Sequence, residues 1–146
     1  MIKAMIRFKI LHLNIPSWAA TLYILISIGL IPWTIYLGFR LPAHHTTHNW
    51  DIAWVGLDIG LVLTLLATGI LARLHSLYTI IFAIVAGTLL LADAWFDITG
   101  YKIGSHGFDE ALLMAILGEL PLALMSFILA VHGVRKLHKN THLAKV

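Results

Sequence analysis

Along the chain, long apolar stretches alternate with short polar ones, and the apolar stretches are too long for the interior of a soluble domain. Four stand out, at about residues 17–39, 50–72, 77–96 and 110–134. Crossing a hydrocarbon core of about 30 Å takes about 20 apolar residues in a helix, and each stretch meets that length. The runs lack the strict two-residue alternation of a barrel strand and are far longer than one. The pattern therefore predicts four transmembrane helices, with Pro32 expected to kink the first.

The first stretch follows Lys3, Arg7 and Lys9 and so has the flanks of a signal peptide. Its length exceeds the usual apolar region of about 7–15 residues, and Leu41-Pro42-Ala43 is a poor cleavage site. The expectation is a retained helix. The connections are short, so neighbouring helices should run up-down-up-down. The predicted architecture is all-α, a membrane-spanning antiparallel four-helix bundle, forming one transmembrane domain over residues 1–146.

Composition supports this. The chain has 146 residues, 60% of them apolar and 12% charged, with a mean hydropathy of +0.89; soluble domains have roughly 45–50% apolar and about 25% charged residues. A chain this short cannot bury so much apolar surface in itself, which makes the lipid bilayer its first partner. There is no cysteine, which removes disulfides, thiolate metal sites and Cys nucleophiles.

The net charge of +3 does not point to nucleic acid, because the basic residues flank the apolar runs. Lys3, Arg7, Lys9, Arg73, Arg135, Lys136, Lys139 and Lys145 fall on one side, and only Arg40 and Lys102 on the other. The positive-inside bias then places both termini in the cytoplasm.

The seven acids all fall in the outer half of this arrangement. Asp51, Asp97, Asp109 and Glu110 lie near the interface, and Asp109 and Glu110 suit a helix N-terminus, where the dipole favours negative charge. Asp58 lies about 12 Å below Trp50, and Glu119 about 15 Å below Asp109. An ionised carboxylate at such depth costs at least about 2.5–3.5 kcal/mol. Asp58, Asp93 and Glu119 must therefore face the bundle interior and find a donor or a proton, whether they form a site or a polar knot that fixes helix packing. Asp93 and Asp97 are four apart and share a helix face, where like charges repel unless a cation, a basic group or a proton intervenes. Pro121 frees the Leu117 carbonyl, so a bend is expected beside Glu119.

His44, His45 and His48 form an HHTTH cluster in the first outer loop, with His106 in the second. Imidazole and carboxylate suit zinc or another divalent metal, and His44 and His48 are the candidate metal ligands, although the spacing matches no standard motif. The other histidines lie at the cytoplasmic helix ends. Trp18, Trp50 and Trp95 read as an interfacial belt, whereas Trp54 sits one turn from Asp58. Gly56 and Gly60 flank Asp58 as a small-x-x-x-small pair that would admit a neighbouring helix.

The strings PWTIYL (Pro32–Leu37), LPAHHTTH (Leu41–His48), AWVGLD (Ala53–Asp58), LADAWFD (Leu91–Asp97) and GELPLA (Gly118–Ala123) together give a recognisable order. From Ile15 to Val134 the chain resembles a group of small four-helix bacterial integral membrane proteins. The resemblance implies a bacterial inner membrane and the four-helix topology, and carries no activity with it. The lone first-helix Glu of small multidrug transporters is missing here.

The resulting expectation is an outward-facing intramembrane pocket between the second, third and fourth helices. Asp58, Asp93, Asp97 and Glu119 would line it, with Trp54 and His48 at its mouth. Such a pocket would bind, or help to transport, a cation, a proton or a small cationic ligand. A non-catalytic membrane subunit or assembly partner remains open, as does a metal-dependent membrane enzyme. A homodimer or a larger membrane complex is among the partners expected.

Overall fold

A computed structural model describes residues 15–40 and 49–143. Within them the chain is all helix and turn. Helix α1 spans Ser17–Arg40, α2 Trp50–Arg73 and α3 Tyr78–Gly100. The fourth helix is continuous from α4 (His106–Met114) through a π turn (Ala115–Glu119) into α5 (Leu120–Leu143). Four helices are long and apolar enough to cross a membrane, as the apolar pattern predicts.

Two helices run longer than the sequence reading. The third helix continues past Phe96 to Gly100, so Asp97 lies within it. The fourth begins at His106 and runs to Leu143. Its start is set by Ser105, whose side chain accepts the Phe108 N–H at 3.2 Å, the role of an N-cap. At the other end, helical hydrogen bonding does not stop where the apolar segment stops, so Arg135, Lys136 and Lys139 stay helical. Hydropathy locates the membrane-compatible part of a helix, not its caps.

The turn between α2 and α3 is built from the backbone. The Ser76 N–H reaches the Leu71 carbonyl at 2.9 Å and the His75 N–H reaches that of Ala72 at 3.1 Å. This is the paired bonding of a Schellman motif, whose penultimate residue adopts the left-handed conformation usually given to glycine. Here His75 takes it, with φ 53°.

The bundle packs in chain order, α1 on α2, α2 on α3, and α3 on the fourth helix. The remaining seam differs, since among the described residues no Cα pair between α1 and the fourth helix lies within 8 Å. One side chain bridges it. Fully buried Tyr23 of α1 meets Ser126 of α5 at 2.9 Å. Because the Ser126 hydroxyl proton goes to the Leu122 carbonyl at 2.8 Å, Tyr23 is the donor of the pair. Around this bond lies the core of Tyr23, Leu61, Leu65, Ala86, Leu90, Leu122 and Ala123. A second cluster, of Ile15, Ala19, Ala20 and Ala72, closes the end that carries Ser17 and Arg73.

Glycine permits close approach at two places in this half. A Cβ on Gly69 would fall 2.7 Å from Ile24 Cγ1 and 2.8 Å from the Ala20 carbonyl oxygen, and one on Gly87 would fall 3.1–3.2 Å from Phe127 and Ser126. The expected pair at Gly56 and Gly60 does not act this way. A Cβ on Gly56 would meet nothing within 4 Å, and one on Gly60 would make ordinary contact with Leu89 at 3.5 Å. The motif spacing is present there, but Gly56 faces open space.

Outward-pointing Leu25, Leu63, Ile81, Leu117, Leu124 and Ile128 are all exposed. A surface this apolar is stable against lipid and costly in water. The chain is thus a small polytopic membrane protein.

Candidate functional site

The half of the bundle beyond Tyr23, toward the α1–α2 and α3–α4 connections, is hollow. A cavity of about 680 Å³ opens there, lined from all four helices. Asp58 and Trp54 reach it from α2, Asp93, Phe96 and Asp97 from α3, and Glu119 from the π turn. The three deep acids and Asp97, from three different spans, therefore share one space, as does Trp54.

The expected wall was incomplete. Helix α1 supplies Ile26, Gly29, Leu30, Trp33 and Leu37, so the cavity lies among four helices rather than three. Sequence gave no sign of this, because an apolar residue facing a hollow looks the same as one facing lipid. Thr34 of the same helix is the hydrogen-bond partner of the Asp58 carboxyl. The Thr34 hydroxyl also reaches the Leu30 carbonyl at 2.9 Å. One hydroxyl proton serves only one acceptor at a time, so either Thr34 leaves Leu30 to serve an ionised Asp58, or it accepts from a protonated one.

Local geometry explains how Glu119 reaches the cavity. In an α-helix, residues five apart point about 140° away from each other. In the π turn the Leu120 N–H bonds the Ala115 carbonyl, five residues back, which widens the turn so that Met114, Gly118 and Glu119 all border the cavity. Pro121 follows directly; lacking an N–H, it cannot hold the preceding turn in α geometry. The bend expected at this proline is realised as the π turn, a feature often found at functional sites.

The electrostatics are one-sided. No Lys, Arg or His lines the cavity among the described residues. Asp58 is only 3% exposed, and its Oδ2 has no hydrogen-bond partner; neither has Oε2 of Glu119. A buried oxygen left without a donor costs about 1–3 kcal/mol, and more when charged, so these atoms call for a proton or for a ligand that donates. Aromatic groups stand close by. The rings of Trp54 and Phe96 meet edge to face, 6.4 Å between centroids at 87°, and Trp33 and Tyr101 also line the space.

The cavity is blind. Its innermost residues are Ile26, Leu61, Leu90 and Leu122, and behind them Tyr23, Leu65, Ala86 and Ala123 are almost completely buried. An apolar layer with the Tyr23–Ser126 bond behind it separates the hollow from the far end.

Among the described residues no three His, Asp or Glu side chains are grouped to hold a metal ion. His44, His45 and His48 lie outside the described residues. His106 opens α4 and pairs with Glu110 at 3.5 Å on an exposed surface, a pairing worth little.

No protein-family model, curated protein or solved structure matches the chain. The fold and the cavity therefore define its class, a multi-pass membrane protein with an acid-lined intramembrane hollow.

Proposed function

We propose that this protein binds a small cationic ligand in the acid-lined cavity, on the side of the membrane away from the cytoplasm, as a receptor or as the loading site of a transport step. The single observation behind this reading is that Asp58, Asp93, Asp97 and Glu119 line one hollow with no basic residue on its walls, among the described residues. Negative charge gathered in low dielectric without a counter-ion is costly, and a bound cation relieves that cost. The orientation rests on the basic residues at the opposite end. The blind floor favours binding over open conduction.

The test uses purified protein in lipid nanodiscs. Ammonium, ethylammonium and octylammonium chlorides are compared with sodium chloride at matched ionic strength, reading the thermal unfolding midpoint. At least one ammonium cation should raise the midpoint in the parent. In Asp58→Asn combined with Glu119→Gln the rise should vanish. A double variant that responds like the parent rules the reading out.

A further inference from the structure

We propose that the ligand is an amphiphilic alkylammonium, a protonated amine bearing an apolar chain, and that it enters from the bilayer through the open seam between α1 and the fourth helix. This rests on the cation-binding reading and specifies its ligand class and route.

Three observations converge on it. The first is size. About 680 Å³ falls within the roughly 300–1,000 Å³ of sites for drug-sized molecules, far more than an inorganic ion or ethylammonium fills. Away from the acids the walls are apolar, with Ile26, Leu30, Leu90, Met114 and Leu122 facing the space, and such walls favour a chain over water.

The second observation concerns the head group. Asp58 is almost fully buried against the cavity with Oδ2 unpartnered, and Glu119 Oε2 is likewise unpartnered. These oxygens are acceptors when ionised. A primary ammonium brings three N–H donors along with its charge, whereas a quaternary ammonium brings charge alone. The Trp54 and Trp33 rings that line the same space offer further attraction to a cation.

The third observation is the route. In the outer half of α1, from Ile28 to Phe39, only Leu30, Thr34 and Leu37 are buried or half-buried, so one narrow face of the helix is packed. Met114 of the fourth helix is 49% exposed and Trp33 of α1 43%, and both border the cavity. A Cβ on Gly29 or Gly118, both of which line the cavity, would meet nothing within 4 Å. The inner half of the same seam is closed by Tyr23 and Ser126. Lipid therefore borders an opening that leads to carboxylates, the geometry suited to a molecule that partitions into the membrane before it binds.

The experiment compares octylammonium, ethylammonium (head alone) and octanol (chain alone) on the unmodified protein in nanodiscs, reading tryptophan fluorescence and the unfolding midpoint. Octylammonium should act saturably at a concentration at least tenfold below that of ethylammonium, and octanol should have no saturable effect. Gly118→Trp, which places a large ring at the seam, should slow the onset of the octylammonium response at least tenfold. If ethylammonium acts as well as octylammonium, the amphiphile proposal is overturned while cation binding stands. If octanol acts as well as octylammonium, both readings fail. If Gly118→Trp leaves the rate of the octylammonium response unchanged, entry through the seam is wrong. The parent-protein comparison stands even if the variant does not fold.

Discussion

Tyr23 of α1 donates a hydrogen bond to Ser126 of α5 across 2.9 Å, and this bond crosses a seam that backbone packing leaves open. It separates the tightly packed half of the bundle from the hollow one. Because Ser126 passes its own proton to Leu122, the two partners are not equivalent. Tyr23→Phe leaves only an acceptor lone pair bare, whereas Ser126→Ala strands a buried phenol O–H, at about 1–3 kcal/mol. Ser126→Ala should therefore lower stability more than Tyr23→Phe, as read by detergent or thermal unfolding. The reverse order would mean that the bond runs in the other direction.

Gly69 and Gly56 provide a second contrast. A Cβ at position 69 meets the Ile24 side chain at 2.7 Å and the Ala20 carbonyl oxygen at 2.8 Å, and the carbonyl, being backbone, cannot yield. Gly69→Ala should destabilise by about 1–3 kcal/mol, the usual cost of overpacking. Gly56→Ala meets open space and exchanges glycine for a better helix former, so it should be neutral or slightly stabilising. Parallel unfolding curves of the two variants decide this.

Acids retained for a ligand weaken the empty protein. Asp58→Asn keeps the shape and the contact with Thr34 but removes a charge that has no counter-ion on the cavity wall. Ligand-free Asp58→Asn should melt no lower than the parent, because the amide leaves a polar atom unmatched there but has no charge to bury. The same variant should respond less to octylammonium. A lower midpoint without ligand would mark Asp58 as structural glue instead.

The complete lack of cysteine makes topology directly testable. Lys102→Cys lies in the α3–α4 connection, and Leu74→Cys in the exposed α2–α3 turn. In intact cells an impermeant maleimide should label position 102 and leave position 74 unlabelled until the membrane is opened. The opposite pattern would invert the orientation and turn the cavity toward the cytoplasm.

Much of this was legible in the residues. A stretch such as Ser17–Phe39, without a charge, has few alternatives to spanning a bilayer. Asp58, Asp93 and Glu119 could not face lipid cheaply, so their convergence follows from the cost of charge at that depth. What escaped reading depends on neighbours remote in sequence. Gly29 and Trp33 are ordinary members of an apolar run, and only the gap between α1 and the fourth helix makes them a wall. The glycine pair around Asp58 had the right spacing, yet the tight contacts fall at Gly69 and Gly87, because spacing does not reveal which face meets a helix. Pro121 announced a disturbance beside Glu119 without indicating that it would take the form of a widened turn. The histidines at 44, 45 and 48 remain candidates on sequence grounds alone.

The bundle is close-packed at one end, where Gly69 and Gly87 bring helices together, and hollow at the other. The contacts that hold the helices together and the space that could take a ligand thus occupy opposite ends of the same fold, divided by a single side-chain bond.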